Sequence, residues 1–149
     1  MNNKPNLYVM VGIPGSGKSY KASEISKQEN AIVHSSDAIR AEIYGDASIQ
    51  SDPKKVFGIL NYRVRKTLES GRNCVLDAMN LNAHGRRQLI KKYGSLANII
   101  AIEINTPLDV CLSRNASRDR VVPPDVIKEK FEKKSSVTED EGFTEIRRY

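Results

Sequence analysis

The stretch Leu7-Tyr8-Val9-Met10-Val11-Gly12-Ile13-Pro14-Gly15-Ser16-Gly17-Lys18-Ser19 decides the fold of this chain. Residues 12–19 fit the pattern G-x-x-x-x-G-K-[ST], in which a glycine-rich turn joins a strand to a helix. The apolar run 7–11 supplies the strand, and the helix-prone segment 21–25 follows the turn. Because the pattern has the strand and the helix that it needs on either side, we predict a phosphate-binding loop (P-loop) here.

Each part of the predicted P-loop serves to bind negative charge. Backbone N–H groups of the glycine-rich turn face the phosphates, and the N-terminus of the following helix adds a partial positive charge. Lys18 supplies a point charge, and the hydroxyl of Ser19 is suited to ligate Mg²⁺. A glycine-rich turn that binds nothing would leave this Lys-Ser pair unexplained. The predicted contacts to a nucleotide's phosphates are Gly12, Pro14, Gly15, Ser16, Gly17, Lys18 and Ser19.

Length and composition are those of one soluble domain. The chain has 149 residues, 39% of them apolar and 28% charged, with no Trp and no long apolar run. We therefore predict one domain over residues 1–149, with no membrane span. The first residues do not resemble a signal peptide, so we expect a cytoplasmic protein. Cys74 and Cys111 lack Cys-x-x-Cys spacing and are expected to be reduced core residues.

The formal net charge is +6, from 24 basic and 18 acidic residues, which favours a polyanionic partner without proving one. Basic residues are concentrated between Ser51 and Arg72, where only Asp52 and Glu69 oppose them. On a helix such charges form a solvated outer face as readily as a nucleic-acid surface, so both interpretations stay open. The basic side chains of this segment are Lys54, Lys55, Arg63, Arg65, Lys66 and Arg72.

Apolar runs alternate with helical patterns along the rest of the chain. This alternation predicts an α/β fold, a three-layer α/β/α domain with a parallel sheet and a helical arginine lid. Ligands of such sheets bind outside the carboxyl ends of the strands, so residues that directly follow a strand are candidates for the site. The predicted strands are 7–11, 31–34, 74–77 and 98–104, with 143–146 as a candidate fifth. The predicted helices are 18–27, 37–44, 53–70, 83–93, 108–116 and 124–136, with a loop around 45–53.

Asp37 and Arg40 follow the second predicted strand. They are three residues apart and therefore lie on one face of a helix. The carboxylate of Asp37 is suited to accept a proton from an attacking hydroxyl, and the guanidinium of Arg40 to grip a phosphate of the acceptor. An acidic residue at a helix start and an ordinary surface ion pair would give the same spacing, so a purely structural role stays open.

The third predicted strand ends on Asp77, the position from which P-loop enzymes present a carboxylate that supports Mg²⁺. Asp77 could equally pair with Arg40 and orient it, and the sequence does not separate these two roles. Further along, Asn80 and Asn82 are candidates to bond the backbone or the substrate. We expect Arg86-Arg87 to be a helix surface, with function as the less favoured alternative.

Three arginines occur in seven residues at the junction where one predicted helix ends and the next begins at Pro123-Pro124. Arg114, Arg118 and Arg120 are placed as a lid over phosphates. Phosphoryl transfer spreads negative charge over the equatorial oxygens of the moving group, and an arginine stabilises that charge without covalent chemistry. Because a P-loop site needs a cationic cover, we prefer a lid to a solvated charged loop.

Taken together, these residues resemble the polynucleotide 5′-hydroxyl kinase family, the end-healing enzymes of bacteriophages and bacteria. The resemblance covers nearly the whole chain. It rests on the P-loop at 12–19, Ser-Ser-Asp-x-x-Arg at 35–40, Asp-x-x-Asn at 77–80 and Arg-Asn-x-x-Arg at 114–118. Many kinases share the P-loop, whereas the other three motifs are more selective as a set. Met79 departs from the family, because relatives usually have Thr at this position.

The resemblance implies ATP and Mg²⁺ as cofactors and assigns a role to each motif. Lys18 and Ser19 become the contacts to the β- and γ-phosphates and Mg²⁺, and Asp37 becomes the general base on the 5′-hydroxyl. Arg40 contacts the acceptor's phosphate, and Arg118 is the lid arginine on the donor phosphates. The implied catalytic residues are thus Lys18, Asp37, Arg40 and Arg118, with Arg114 and Arg120 as further donor contacts, Asp77 and Asn80 as further substrate contacts, and Ser19 with Asp77 at the metal.

The sequence therefore predicts ATP-dependent transfer of the γ-phosphoryl group to the 5′-hydroxyl end of RNA or DNA. One alternative is a P-loop kinase of a small-molecule hydroxyl on a nucleoside, sugar or nucleotide-sugar. Another is a nucleotide-dependent switch in which Asp37 is only a helix cap. Many members of the family carry a 3′-phosphatase or ligase module, for which this chain has no room. We expect it to supply the 5′ half of end healing beside a separate ligase or 3′-phosphatase.

Overall fold

The computed structural model describes residues 3–49 and 51–149, which build a parallel sheet with helices on both faces. The strands are β1 (Asn6–Val11), β2 (Ala31–Ser35), β3 (Asn73–Asp77), β4 (Asn98–Glu103) and β5 (Glu145–Arg148). Their order in the sheet is β2-β3-β1-β4-β5, and each pairing is parallel. The predicted α/β fold is confirmed, and the P-loop follows the central strand.

The helices begin at residues suited to helix starts. Oγ of Ser35 accepts a hydrogen bond from the backbone N–H of Ala38 (3.2 Å), and Oδ1 of Asn82 accepts one from that of Gly85 (3.1 Å). Proline opens two further helices, where its missing N–H costs no hydrogen bond. The helices are α1 (Lys18–Glu29), α2 (Ser36–Tyr44), α3 (Pro53–Glu69), α4 (Ala83–Tyr93), α5 (Leu108–Ala116) and α6 (Pro124–Lys133), with a 3₁₀ turn at Glu139–Glu141.

The sheet is buried on both faces, which explains why its strands read as continuous apolar runs. Leu7 and Val9 of β1 pack with side chains of α2, α3 and α4, whereas Tyr8 and Met10 pack with side chains of α1. Since all strands run in one direction, their carboxyl ends meet at one edge of the sheet. The P-loop, the start of α2 and the end of β3 therefore converge there.

Most predicted bounds lie within one or two residues of the observed ones, and the last strand and the last helix differ for a physical reason. The last strand begins at Glu145 rather than at residue 143, because Phe143 packs into the core instead of pairing. The last helix ends at Lys133 rather than at residue 136, since the backbone N–H of Ser135 donates to the carbonyl of Leu81 (2.9 Å). Position 50 of the predicted loop around 45–53 lies outside the described residues.

Cys74 and Cys111 are free and buried, as predicted. Burial raises the pKa of the Cys74 thiol to about 12 and also raises the pKa of Cys111. Both thiols are therefore core groups rather than nucleophiles. Among the described residues, we find no helix with the length and apolarity needed to cross a bilayer.

Candidate active site

The P-loop fits closely against α5. Gly15 has φ +81°, and a Cβ atom at this position would lie 2.4 Å from the carbonyl oxygen of Cys111, so only glycine is accommodated. One turn further along α5, Nη1 of Arg114 donates to the carbonyl of Ser16 (3.1 Å). Gly17, at φ 89°, caps α1 and turns its first backbone N–H groups toward the loop. Helix α5 thus holds the loop in shape.

Lys18, Ser19 and Asp77 form one bonded group at the edge of the sheet. Nζ of Lys18 lies 2.5 Å from Oδ1 of Asp77, and Oγ of Ser19 donates to Oδ2 at 3.0 Å. Asp77 is buried at the end of β3, beside β1, so the topology itself brings these side chains together. Of the two roles that the sequence left open for Asp77, the structure pairs it with the P-loop side chains and gives Arg40 a different partner.

Asp37 and Arg40 line the same cleft as the P-loop. Nη1 of Arg40 lies 3.4 Å from Oδ1 of Asp37, a long and weak contact. The Arg40 side chain is largely buried, and its guanidinium carbon lies 5.7 Å from the centre of the Phe57 ring. The Asp37 side chain is 44% exposed. The part of the cleft that the sequence assigns to the acceptor thus presents an accessible carboxylate beside a buried guanidinium that lies over the Phe57 ring.

Two buried side-chain polar atoms lack a hydrogen-bond partner within the part of the chain that the structure describes. They are Oγ of Ser16, in the P-loop, and Nε of Arg40. Buried polar groups are almost always paired, and leaving one unpaired costs about 1–3 kcal/mol. The orphaned atoms lie in the two regions that the sequence assigns to donor and acceptor phosphates, where bound oxygens could satisfy them.

A short turn between α5 and α6 carries the predicted lid. Nδ2 of Asn115 donates to the carbonyl of Val122 (2.6 Å), and the N–H of Val122 donates to Oδ1 of Asn115 (2.9 Å). Asn115 is buried, so these two bonds pin both ends of the turn. The arginines therefore project from a fixed base, and all three line the cleft.

The three lid arginines have different neighbours. Arg114 binds the P-loop, as described above. Arg118 is exposed, and its side chain makes no hydrogen bond or ion pair with residues 3–49 or 51–149. Arg120 donates from Nη2 to Oδ2 of Asp37 at 3.0 Å. The sequence predicted all three as contacts to donor phosphates; in the structure Arg120 bonds Asp37, the residue predicted to serve the acceptor.

The cleft has a volume of about 870 Å³. This volume lies within the range of about 300–1,000 Å³ that is typical of ligand-binding clefts. Three predicted site residues, Gly12, Ser16 and Asp77, are buried behind its surface. The other predicted residues line it: Pro14, Gly15, Gly17, Lys18, Ser19, Asp37, Arg40, Asn80, Arg114, Arg118 and Arg120.

Asn80 is tied to the sheet as well as lining the cleft. Its backbone has φ 50°, and Nδ2 donates to the carbonyl of Met10 at the end of β1 (2.7 Å). Its own carbonyl accepts from Nη1 of Arg86 (2.9 Å), and Nε of Arg86 donates to Oε1 of Glu141 (2.6 Å). The prediction that Arg86 lies on a helix surface is wrong, because this side chain is fully buried. Arg87, by contrast, is on the surface, as predicted.

Two residues of the site escaped the sequence prediction. The Phe57 ring lies under the guanidinium of Arg40, and Oγ1 of Thr106 donates to the carbonyl of Ser16 (2.7 Å). The core-facing residues of α3 recur at every fourth position from Val56, and Phe57 is not among them. This pattern could have identified Phe57 as an apolar residue that lies outside the core face of the helix. Thr106 follows β4 and could have been found from the rule that ligands bind at strand ends.

The parallel sheet, the P-loop after its central strand and the arginine-bearing turn define a P-loop kinase domain. The chain belongs to the AAA_33 family, described as an AAA domain, whose profile matches residues 7–139. The matched range contains the P-loop, Asp37, Asp77 and the lid.

Known proteins with related sequences or folds have names that refer to different substrates. An L-seryl-tRNA(Sec) kinase of Methanococcus maripaludis is 27% identical over 133 residues, covering 85% of this chain and 51% of the relative. A chain of the Pnkp1/Rnl/Hen1 RNA repair complex has the same fold (TM-score 0.81, 21% identity), covering 89% of this chain and 45% of that one. A gluconokinase from Sinorhizobium meliloti shares it too (TM-score 0.66, 16% identity), covering 99% and 83%. The chain spans about half the length of the first two.

Proposed function

We propose that this chain transfers the γ-phosphoryl group of ATP to the 5′-hydroxyl end of RNA or DNA. The observation that carries the proposal is that Asp37 and Arg40 share one cleft with the P-loop. An acceptor site needs a group to take the proton of the hydroxyl and a group to hold the neighbouring phosphate. An exposed carboxylate beside a buried guanidinium supplies both.

The donor half is suited to ATP and Mg²⁺. Lys18, the first N–H groups of α1 and the unpaired Oγ of Ser16 surround the place where the phosphates would bind. Oγ of Ser19 and Oδ2 of Asp77 lie 3.0 Å apart. Both are hard oxygen ligands, and Mg²⁺ usually binds one or two such protein oxygens together with phosphates and water. When bound, Mg²⁺ would neutralise charge on the β- and γ-phosphates.

The proposed reaction is an in-line displacement. The hydroxyl oxygen of the acceptor forms a bond to the γ-phosphorus, while the bond from that phosphorus to the β–γ bridging oxygen breaks and its electron pair leaves with ADP. The proton of the hydroxyl passes late to the carboxylate of Asp37. Lys18 and Arg118 stabilise the charge on the equatorial oxygens without forming covalent bonds.

A basic and aromatic surface on α3 supports a polymeric acceptor. Lys54, Lys55 and Lys66 are exposed, and no carboxylate of the described residues pairs with them. Tyr62, 63% exposed, lies on the same outer face, with Nζ of Lys66 5.6 Å from its ring centre. Phe57 brings the first turns of α3 to the cleft. Cations combined with exposed aromatic rings are typical of surfaces that bind single-stranded nucleic acid.

The named relatives favour two acceptor classes. The L-seryl-tRNA(Sec) kinase supports an acceptor that contains RNA, and the RNA repair complex supports a role in RNA repair. We infer a separate ligase or 3′-phosphatase as a working partner. The second candidate function is phosphorylation of a small-molecule hydroxyl. It is favoured by the gluconokinase, which this chain matches over most of both lengths.

Transfer of labelled γ-phosphate to a panel of acceptors tests the proposal. The panel contains 5′-hydroxyl RNA, single- and double-stranded DNA, nucleoside 3′-phosphates, nucleosides and gluconate. We expect the largest kcat/KM for a polynucleotide, with an activity that falls steeply as salt rises. A preference for a nucleoside or sugar, insensitive to salt, would support the second candidate. Slow ATP hydrolysis without transfer to any acceptor would point to a switch module instead.

A further inference from the structure

Both oxygens of the Asp37 carboxylate face a guanidinium. Nη2 of Arg120 lies 3.0 Å from Oδ2, and Nη1 of Arg40 lies 3.4 Å from Oδ1. The stronger contact comes from the lid, 83 residues further along the chain. In this state the oxygen that would receive the proton is already accepting a charge-assisted hydrogen bond from Arg120.

We propose that Arg120 locks Asp37 until an acceptor phosphate displaces it. In the enzyme without acceptor, Arg120 holds the carboxylate. A phosphate next to the reacting hydroxyl then takes over the guanidinium of Arg120 and frees Oδ2 for the proton. This inference rests on the proposed function and adds to it a residue that selects acceptors by their negative charge.

The energetics favour such an exchange. Oδ2 of Asp37 already accepts a charge-assisted hydrogen bond from Arg120, so it must give up this bond before it can take the proton of a hydroxyl. When the phosphate replaces the carboxylate, Arg120 exchanges one anionic partner for another, so the release of Asp37 leaves no cation unpaired. A nucleoside, a sugar or water carries no anion to offer in exchange. With a neutral acceptor, Asp37 therefore stays bonded to Arg120 and cannot take the proton. The same contact suppresses ATP hydrolysis in the absence of an acceptor.

The two side chains are placed to part from each other. Their exposures are 28% for Arg120 and 44% for Asp37, whereas the pair of Lys18 and Asp77 is nearly buried at 11% and 5%. The base of the lid turn is pinned at Asn115, so the side chain of Arg120 can move without the turn itself unfolding.

Arg120 also adds positive charge near a second acidic residue, Asp46, on the loop after α2. The pKa of Asp46 is held below its usual value chiefly by hydrogen bonds from Ser48, and the positive charge of Arg120 lowers it further. Arg120 bonds Asp37, whereas Arg114 bonds the P-loop. The exchange therefore concerns one arginine of the lid and leaves the donor contacts in place.

The test compares a nucleoside 3′-phosphate with the same nucleoside as acceptor, in the wild-type enzyme and in Arg120→Ala. Loss of the lock should raise transfer to the nucleoside, and ATP hydrolysis without acceptor, by about 10-fold, the value of one charge-assisted hydrogen bond. Transfer to the 3′-phosphate should fall, because a partner of that phosphate is lost. Arg120→Lys should restore part of the preference. Arg87→Ala removes a surface arginine remote from the cleft and should leave the rate of transfer to each acceptor unchanged.

Each other outcome decides against the lock. If Arg120→Ala lowers the rate of transfer to both acceptors by the same factor, or raises only the KM for ATP, Arg120 is a donor contact. The lock is then overturned while the proposed function stands. If only the rate of transfer to the nucleoside 3′-phosphate falls and the rate with the nucleoside stays unchanged, Arg120 binds the acceptor without restraining Asp37. If the wild-type enzyme phosphorylates no 5′-hydroxyl, the lock and the proposed function both fail. Thermal melting of each variant verifies that it is folded.

Discussion

Lys18 and Asp77 are joined by an ion pair of 2.5 Å, and Ser19 bonds the second oxygen of the same carboxylate. This contact connects the start of α1 to the end of β3. The side chains suited to bind phosphate and metal therefore meet at one carboxylate, and substitution of Asp77 tests both assignments.

Asp77→Asn tests the assignment of this carboxylate to the metal. The variant keeps the shape and one hydrogen-bond acceptor but loses the charge, so we expect the Mg²⁺ concentration for half-maximal activity to rise about 10- to 100-fold. The measurement is a Mg²⁺ titration of phosphate transfer at saturating ATP. Asp140→Asn, at an exposed position outside the cleft, is the matched control. An unchanged Mg²⁺ requirement together with weakened acceptor binding would instead assign Asp77 to the acceptor side.

Asp37→Asn tests the general base. Removal of such a group lowers turnover about 100- to 10,000-fold, and ATP binding should be unchanged because Asp37 does not touch the P-loop. Transfer of labelled phosphate measures the first effect, and titration with a fluorescent ATP analogue measures the second. Asp109→Asn also removes a charge from the first turn of a helix and should leave both values unchanged. Near-normal turnover in Asp37→Asn would reduce Asp37 to an acidic residue in the first turn of α2, a helix that Ser35 caps.

The α3 surface predicts a salt effect that depends on acceptor length. Lys55→Gln/Lys66→Gln should raise the KM for a 5′-hydroxyl oligonucleotide several-fold and leave a nucleoside 3′-phosphate unaffected, because only the longer acceptor reaches along the helix. Each lost phosphate contact should reduce the slope of log(kcat/KM) against log salt by about 1. Lys27→Gln, on α1 and so on the other face of the sheet, is the control. Equal increases in the KM for both acceptors would contradict a nucleic-acid-binding surface on α3.

Much of the site could be predicted because its residues follow strands. The P-loop, Asp37 and Asp77 each stand within a few residues of a strand's carboxyl end, and in a parallel sheet those ends coincide. Spacing along the chain was therefore sufficient to place the residues together.

The pairings could not be predicted, since they depend on packing between distant segments. Arg63 and Lys66 are equally basic in sequence, yet Arg63 is bound by both oxygens of Glu42 and Lys66 is not. The neighbours of Arg86 and Arg120 were missed for the same reason. Their carboxylate partners, Glu141 and Asp37, lie 55 and 83 residues away in sequence, across a packing that no local pattern encodes.

The buried pair of Arg86 and Glu141 gives a prediction about stability. Nη2 and Nε of Arg86 bond both oxygens of Glu141, and neither side chain is more than 1% exposed. Removing one partner of such a pair leaves a buried charge, so we expect Arg86→Ala to lower the free energy of unfolding by about 3–5 kcal/mol. Urea unfolding measures it, with Arg87→Ala as the surface control. A loss below about 1 kcal/mol would show that Glu141 finds another partner.

The same pair sets an acid limit on the fold. Burial raises the pKa of Glu141, but the hydrogen bonds from Arg86 and Thr138 outweigh it, and the net pKa lies below the ordinary value of 4.5. Because the folded state binds this proton less readily than the unfolded chain, the pair's contribution is complete above pH 4.5 and is lost as the pH falls through the lowered pKa. Glu141→Gln should therefore be less stable than the wild type near neutral pH and lose less stability on acidification. Urea unfolding between about pH 3 and pH 7 measures both curves, and parallel curves would show that Glu141 does not titrate with the fold.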